Sequence, residues 1–222
     1  MKTNLTIQII IAVFLMVSLS SCGIFGDDSK SATEPIGGDP TPMGAVGNTF
    51  SVSGVSGVSN EVIEVTENSG GVSTIELTAT ITDPVILDAA QQLSFLEVNG
   101  NQVSGSKKFR ITDKGIQAYT VDGKPFTIVE YDGKVGDTYE LKRSSSNLVR
   151  KVTHKSSDDD YSWSFFLIKT IQVEETGQMM PGISKIKYIA NHRFGLVGYE
   201  VYFEDGSQKK VSLFSDRYND DE

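Results

Sequence analysis

The 222-residue chain has few of the residues from which catalytic and metal sites are usually built. Its single cysteine, Cys22, cannot form a disulfide within the chain. It has two histidines, His154 and His192, whereas zinc sites and hydrolase triads usually combine histidine with cysteine, serine or carboxylate groups. The sequence also lacks a zinc-protease motif, a nucleophile elbow and a phosphate-binding loop. We therefore predict no enzyme activity, no cofactor and no metal site.

The chain also has fewer basic residues than acidic ones. The chain has 20 Lys and Arg residues against 29 Asp and Glu residues, so its formal net charge is −9. Proteins that bind nucleic acid usually offer stripes of Lys and Arg to the phosphates, and anionic lipid surfaces attract basic faces. We therefore predict no nucleic-acid partner, and we expect contact with a membrane to be made through an anchor and not through a basic face.

The longest apolar run lies in the first 21 residues. Lys2 supplies a positive start, Ile9–Val17 is unbroken and apolar, and small residues follow it up to Cys22. This order is typical of a secretory signal. The run is too short to span a bilayer, which needs about 20 apolar residues. Residues 1–21 are therefore predicted to be a signal peptide.

The end of this leader, Leu19-Ser20-Ser21-Cys22, resembles the lipobox of bacterial lipoproteins. The resemblance implies cleavage before Cys22, a diacylglycerol thioether on its sulfur and acylation of the new amino group. The alternative is an ordinary signal peptide with a chance cysteine, which would leave a lone thiol in an exported protein. We expect Cys22 to be the lipid attachment site. The protein would then lie in the cell envelope, anchored to the outer membrane and facing the periplasm or the cell surface.

The stretch that follows, Gly23–Asn48, is rich in glycine and proline and shows neither a helical nor an alternating apolar period. Such composition predicts a flexible linker, so residues 22–48 are predicted to be the lipidated cysteine and its tether. Asp27-Asp28 resembles the short acidic run that serves as a surface-export signal in Bacteroidetes-type lipoproteins. A solvated linker would explain the two aspartates equally well.

From residue 49 the pattern predicts a β-rich globular domain, residues 49–222. Apolar residues alternate with polar ones, as in Val72–Thr82, and Asp-Gly turns separate the alternating segments. The predicted strands are Glu61–Thr66, Val72–Thr82, Lys108–Thr112, Ile116–Val121, Phe126–Tyr131, Thr138–Arg143, Leu148–Ser156, Tyr161–Glu174, Ile183–Ala190, Leu196–Glu204 and Gln208–Ser215, with Phe50–Asn60 as an edge strand or a lead-in.

Two segments define the predicted architecture. Asp83 and Pro84 suit the start of a helix, and apolar residues recur at helical spacing over Pro84–Glu97. Tyr161–Glu174 is the strongest strand and carries Trp163, so we expect it at the centre of the sheet with this tryptophan buried. The predicted fold is mainly β: an antiparallel meander that forms a strongly curved sheet or open barrel, with one helix packed against it.

Two later segments carry a second resemblance. Lys134–Tyr139 and Tyr188–Gly198 resemble uncharacterised Bacteroidetes-type lipoproteins, in which a Lys-Val-Gly-Asp sequence opens one strand and a late Gly-Leu-Val sequence enters another. The resemblance extends over about residues 105–215. It implies a curved β architecture similar to that of lipoprotein carrier proteins, and it implies no activity.

The most unusual loop is Asn191-His192-Arg193-Phe194, which is followed by Gly195. It gathers an amide, an imidazole, a guanidinium and an aromatic ring, which are groups suited to contact with a ligand or a protein partner. The alternative is a turn in which Gly195 adopts a positive φ and Phe194 plugs the core. The sequence favours the turn, and Asn191, His192, Arg193 and Phe194 are kept as possible contacts with a ligand or partner.

The acidic run Asp158–Asp160, with Ser156 and Ser157 beside it, offers oxygen atoms that could hold calcium. Charged residues in a turn between strands are more often simply solvated. We therefore favour a solvated turn.

These observations predict a membrane-anchored envelope lipoprotein that acts as a binding or scaffold module. Its partner would be an apolar small molecule held in the concavity of the sheet, or another envelope protein. The alternative is a surface-exposed adhesin or a glycan-binding accessory protein. A concave face filled by the protein's own side chains would argue against the apolar ligand.

Overall fold

The computed structural model describes residues 32–219, apart from residues 55, 92, 94, 144–146 and 178–181. The predicted signal peptide, the lipid attachment site Cys22 and the pair Asp27-Asp28 lie outside the described residues. The strands are β1 (Thr49–Ser53), β2 (Val58–Ser69), β3 (Val72–Ile81), β4 (Leu96–Asn99), β5 (Gln102–Thr112), β6 (Gly115–Tyr119), β7 (Pro125–Glu130), β8 (Thr138–Leu141), β9 (Leu148–Lys155), β10 (Tyr161–Trp163), β11 (Phe166–Ile168), β12 (Ile171–Thr176), β13 (Ile183–Asn191), β14 (Gly195–Phe203) and β15 (Gln208–Ser215). The helical segments are α1 (Pro84–Gln91) and the 3₁₀ turn Pro42–Gly44.

Thirteen strands form one antiparallel sheet in the order β7-β6-β5-β3-β2-β1-β15-β14-β13-β12-β9-β8, with β4 paired to β5. The sheet curls into a nearly closed barrel, which confirms the predicted fold class. Its formation follows from the period-two pattern: along β3, Ile75, Leu77, Ala79 and Ile81 are all buried on the inner face. The residues between them face outward.

The two edge strands, β7 and β8, approach each other across the remaining gap. The backbone N–H of Glu130 donates to the Tyr139 hydroxyl at 3.3 Å. Arg150 of β9 also reaches β7, since its Nη1 donates to the carbonyls of Phe126 at 3.2 Å and Thr127 at 2.9 Å. Side chains thus bridge the gap between the two edges.

Apolar side chains from both sides of the barrel fill its interior. The largest fully buried side chains include Phe126, Tyr188 and Tyr199, each at 0 % exposure, and they belong to one continuous core cluster. The concave face therefore carries the protein's own side chains.

The helix is shorter than the sequence predicts. Asp83 caps it as expected, because its carboxylate accepts the Ile86 N–H at 3.2 Å. The predicted end at Glu97 is wrong: α1 ends at Gln91, and β4 then pairs with β5 through the turn at Gly100. Leu93 and Leu96 fit a helical period, but pairing with a neighbouring strand outweighs this local preference.

The two ends of the barrel are covered differently. At one end, which we call the helix end, Ile86 and Ala90 of α1 pack against Ile81 and Val103. At the opposite end, the 3₁₀ turn places Met43, which is 2 % exposed, in the main core. We call this the Met43 end. The helix therefore plugs one end of the barrel and does not lie across its concave face.

The predicted central strand Tyr161–Glu174 is not continuous. Trp163 and Phe166 pair across a two-residue turn in which Ser164 has a φ of +53°. The chain therefore reverses, and β10 and β11 form their own two-stranded sheet. Only β12 belongs to the barrel, where it pairs with β9 and β13. Trp163 is buried as predicted, at 8 % exposure, but not in the centre of the main sheet.

Two N-terminal segments also differ from the sequence-based expectation. The stretch predicted as an edge strand or lead-in supplies β1, which lies inside the sheet between β2 and β15. Residues 32–48, assigned by composition to the tether, lie against the barrel. Ala32 accepts the Thr127 N–H at 3.0 Å, and Gln117 Nε2 donates to the Glu34 carbonyl at 2.8 Å. The buried amide of Gln117 needs such partners, so the folded part of the chain includes these residues.

Candidate functional site

The two-stranded sheet of β10 and β11, which we call the aromatic hairpin (residues 161–168), stands on a hydrogen-bonded base. Ser156 and Thr170 face each other there: the Ser156 N–H donates to the Thr170 carbonyl at 2.8 Å, and the Thr170 N–H donates to Ser156 Oγ at 3.2 Å. The Ser156 hydroxyl in turn donates to Asp160 Oδ1 at 2.6 Å. These bonds fix the position at which the aromatic hairpin leaves the barrel.

One side of the aromatic hairpin is seated on the outer face of the barrel. The indole ring of Trp163 lies 4.8 Å from the ring of Phe194 and 5.0 Å from that of Phe214, centroid to centroid. Its Nε1 donates to the Leu213 carbonyl at 3.1 Å. Ile168 is buried in the same outer cluster. The tryptophan thus holds the aromatic hairpin in one position.

The tip of the aromatic hairpin is exposed and apolar. Phe165 is 96 % exposed, and Phe166 and Leu167 are each 61 % exposed. Their backbone turns at Ser164, a residue other than glycine with a positive φ, which is a strained conformation that often occurs at functional sites. A contiguous exposed apolar patch is typical of an interaction surface.

The predicted contact loop lies beside this hairpin. Asn191 is 6 % exposed and shapes the loop: its Oδ1 accepts the N–H groups of Arg193 at 2.8 Å and Phe194 at 3.0 Å, and its Nδ2 donates to the Lys169 carbonyl at 2.8 Å. Gly195 has a φ of +71°, as the turn interpretation expects. Asn191 therefore has a structural role in the loop.

The other three loop residues take different positions. Phe194 packs on Trp163 in the outer cluster and not in the barrel core. His192 is exposed, and the guanidinium carbon of Arg193 lies 5.4 Å from the Tyr218 ring centroid. The Asn219 N–H donates to the Arg193 carbonyl at 2.9 Å, so the C-terminal segment is held against the loop.

Together these elements line a groove of about 600 Å³, which we call the hairpin groove. The aromatic hairpin forms its apolar wall, while the loop and the C-terminal segment form a more polar one. Its lining residues are Asp159, Trp163, Phe166, Leu167, Ile168, Asn191, His192, Arg193, Phe194, Ser215 and Tyr218.

All four residues of the predicted contact loop thus lie at one site. The sequence-based prediction missed the aromatic hairpin, although the adjacent Phe165-Phe166 pair, which breaks the alternation, was a signal of it.

A serine, a histidine and an aspartate meet at the base of the aromatic hairpin. His154 Nε2 lies 3.2 Å from Ser156 Oγ and 3.7 Å from Asp160 Oδ2. In a catalytic triad the imidazole stands between the other two groups and takes the serine proton. Here the Ser156 hydroxyl donates directly to Asp160, so the arrangement supports the hairpin base and does not form a proton relay.

The acidic run Asp158–Asp160 is exposed to solvent. Ser157 Oγ donates to Asp158 Oδ2 at 2.9 Å, and Asp160 is bonded to Ser156. Within the described ranges, no group of three or more His, Cys, Asp or Glu side chains is arranged to hold a metal ion.

A second group of charges lies inside the barrel. Arg150 Nε donates to Glu175 at 2.5 Å, and the Tyr188 hydroxyl donates to the same carboxylate oxygen at 3.1 Å. Burial raises the pKa of Tyr188 well above its ordinary value. Lys107 is also buried, and desolvation lowers its pKa to about 7. Because these side chains are enclosed in the core, we assign them to stability and not to contact with a partner.

Lys107 also borders a second groove, of about 650 Å³, which extends from the β2–β3 turn at Ser69 and Val72 to the β6–β7 turn at Val121. Its ammonium lies 5.1 Å from the ring centroid of Phe95, which lines the same groove together with Thr120 and Val121.

No helix in the part of the chain that the structure describes has the length and apolar character that a membrane crossing needs. Comparisons with protein-family models, with curated proteins and with solved structures find no match.

Proposed function

We propose that this chain is an envelope lipoprotein, anchored through Cys22, that acts as a binding and scaffold module and makes its contacts at the aromatic hairpin and the hairpin groove. The observation that carries the proposal is the exposed tip Phe165–Leu167, which a buried tryptophan holds on a rigid barrel. Large apolar side chains held in water are costly unless something covers them. A fixed tip of this kind is therefore suited to contact with another surface.

The interior of the barrel is a poor place for an apolar ligand. Tyr188, Tyr199 and Phe126 are fully buried there, and the Arg150–Glu175 pair adds two charges to the same enclosed region. A ligand inside would have to displace a packed core. These contacts favour binding on the outside of the barrel, at the hairpin groove.

The anchor is supported by the sequence of the leader and by the single cysteine. Cys22 precedes Ala32, the first described residue, by 10 positions. A chain of that length spans at most about 35 Å when fully extended. A lipid on Cys22 would therefore hold the barrel close to the membrane surface.

Mass spectrometry of the N-terminal peptide tests the anchor. Expressed in a bacterial host that processes lipoproteins, the natural chain should begin at Cys22 and carry a thioether-linked diacylglycerol. Cys22→Ser should carry no lipid and should lose cleavage at that bond, because serine offers no thiol for the thioether. Ser21→Gly keeps a small residue before the cysteine and should be processed like the natural chain. A mature protein with an unmodified Cys22 thiol would contradict the proposal.

The alternative function, a surface adhesin or glycan-binding accessory, has support from the polar wall of the hairpin groove. Tyr218 is 40 % exposed there, close to His192 and Asp159. An exposed aromatic ring beside polar groups suits a sugar, which stacks and donates hydrogen bonds. Protease treatment of intact cells tests the alternative: a chain that survives the treatment and is cut only after lysis is not a surface adhesin.

A further inference from the structure

We propose that the tip of the aromatic hairpin, Phe165–Leu167, inserts at the boundary between headgroups and acyl chains of the lipid leaflet that holds the anchor. This contact would fix the orientation of the barrel on the membrane. This inference rests on the proposed anchor at Cys22 and names the partner of the aromatic hairpin. The tip would contact lipids with zwitterionic headgroups.

The chemistry of the tip fits a bilayer. Phe165 is 96 % exposed and stands at the turn, with Phe166 and Leu167 directly behind it. The hairpin carries no charged side chain between Tyr161 and Ile168. Aromatic and aliphatic side chains of this kind are the ones that bury at the boundary between headgroups and acyl chains.

The two strands behind the tip pair with each other in a two-stranded sheet, so a shallow insertion through the side chains of the tip is the depth that their backbone permits. Tyr161 pairs with Ile168 and Trp163 with Phe166, so the two strands hydrogen-bond to each other up to the turn. Backbone groups that enter a bilayer must be paired internally. Because Trp163 is packed on the barrel, the hairpin is already ordered and loses little conformational entropy on insertion.

The anchored chain reaches the barrel on a route that leads toward the hairpin. Ala32 is bonded to Thr127 of β7, and from there residues 32–43 run along the barrel to the Met43 end. The aromatic hairpin is at that end too, because it packs on Phe194, and the next residue, Gly195, is in close contact with Met43. The stretch between Cys22 and Ala32 is at most about 35 Å long. From Ala32, which lies beside the middle of β7, a tether of that length can reach a bilayer that faces the Met43 end. The lipid is then at a high effective concentration around the hairpin.

Charges around the hairpin select the kind of lipid and limit the depth of insertion. The exposed run Asp158–Asp160 precedes the hairpin, and the exposed Lys169 follows it. Three basic side chains near the hairpin offset the three aspartates: Lys169, Arg193 and Lys210, whose Nζ lies 4.4 Å from the Tyr161 ring centroid. With these charges balanced, the tip should not require anionic headgroups and should enter zwitterionic lipid. Both sets of charges stay in water if only the tip enters the bilayer.

Quenching of tryptophan emission by brominated lipids tests the insertion. The mature chain, residues 22–222, is coupled through the Cys22 thiol to a maleimide lipid in phosphatidylcholine vesicles, which reproduces the tether without native lipidation. Phe165→Trp places a reporter at the tip. Val121→Trp is the matched control, because Val121 is 64 % exposed in the turn between β6 and β7 at the helix end. Trp163 is buried and gives the same background in both variants.

The emission of Phe165→Trp should shift to shorter wavelength on coupling and should be quenched by brominated lipid, whereas Val121→Trp should show only the Trp163 background. Phosphatidylglycerol added to the vesicles should leave the quenching unchanged, because basic and acidic side chains near the hairpin are balanced. An unquenched Phe165→Trp, or equal quenching at both positions, would overturn the insertion. A blue shift without quenching that grows with protein density would overturn it in favour of a second protein copy. The proposed lipid anchor is tested separately, by the mass of the N-terminal peptide.

Discussion

Replacing Arg150 with alanine should destabilise the barrel by about 3–5 kcal/mol, the usual cost of removing one partner from a buried ion pair. Arg150 has a fully buried side chain, and Glu175 is 3 % exposed. Without the guanidinium, the Glu175 carboxylate stays in the core with the Tyr188 hydroxyl as a hydrogen-bond donor and with Lys107 and Arg143 as nearby basic groups. The measurement is the free energy of unfolding in urea, followed by the emission of Trp163.

The cost should lie at the upper end of this range, because Arg150 also joins the two edges of the barrel. Its guanidinium carbon lies 4.0 Å from the Phe126 ring centroid, and its Nη1 donates to two carbonyls of β7. The alanine variant should therefore loosen the gap between β7 and β8. Hydrogen exchange of the β7 amides should rise in this variant by more than in the rest of the sheet.

A neighbouring ion pair supplies the matched control. Glu174 precedes Glu175 on β12, and it faces outward and pairs with Lys185 of the other neighbouring strand, β13. The side chains of Lys185 and Glu174 are 28 % and 25 % exposed. Lys185→Ala should cost about 0–1 kcal/mol, as surface pairs usually do. A loss in Arg150→Ala no larger than that in Lys185→Ala would contradict the prediction.

A double-mutant cycle isolates the pair itself. Glu175→Gln and Arg150→Met should each be strongly destabilising, whereas the double variant should lose less than the sum of the two, because it leaves no uncompensated charge in the core. Strict additivity would mean that the two side chains do not stabilise each other.

The sequence contained a usable signal for this network. Arg150 stands between Leu148 and Val152 in an alternating segment, so period two already places it on the inward face. Glu175 likewise follows Ile171 and Val173 on the inward face of β12. The pattern does not predict that β9 pairs with β12, because the aromatic hairpin separates these strands in the sequence. Their pairing is what brings the two charges together.

The strands of the barrel could be predicted because alternation and Asp-Gly turns are local signals. The errors arose where long-range contacts outweighed local ones. The predicted continuous strand failed at Ser164, where a turn without glycine reverses the chain. The predicted tether failed at residues 32–48, whose polar backbone is bound by Gln117 of β6. The loop Asn191–Phe194 could be singled out from its composition alone, but that the aromatic hairpin lies beside it could not be predicted.

The second large effect concerns Lys107, which should make the barrel more stable as the pH rises from about 7 to 9.5. Burial lowers the pKa of this lysine from 10.5 to about 7 in the folded protein, assisted by Arg150 on β9 and opposed by Glu175 on β12. In this window the unfolded chain binds a proton that the folded chain does not, so a rise in pH favours the folded state. Below pH 7 both states are protonated, and the folded state bears the whole cost of burying the charge.

Lys107→Met should therefore be more stable than the natural protein at pH 6, by an amount on the order of 5 kcal/mol, and this advantage should shrink steadily up to pH 9.5. The contact between the Lys107 ammonium and the Phe95 ring, at 5.1 Å, favours the charged form and will reduce the difference. Urea unfolding at a series of pH values measures it. The scan stops near pH 9.5 because burial raises the pKa of Tyr188 and Tyr199, and these groups reverse the slope once tyrosines ionise in the unfolded chain, at about pH 10.

Lys108 supplies the control for this titration. It is the next residue along β5, but its side chain points outward and is exposed. Lys108→Met removes the same charge from the chain without changing the core, so its stability should follow the pH curve of the natural protein. Parallel curves for Lys107→Met and the natural protein between pH 7 and pH 9.5 would show that Lys107 keeps its proton inside the barrel. In that case the Glu175 carboxylate and the Phe95 ring would outweigh desolvation, and the interior would hold one more positive charge at neutral pH than we infer.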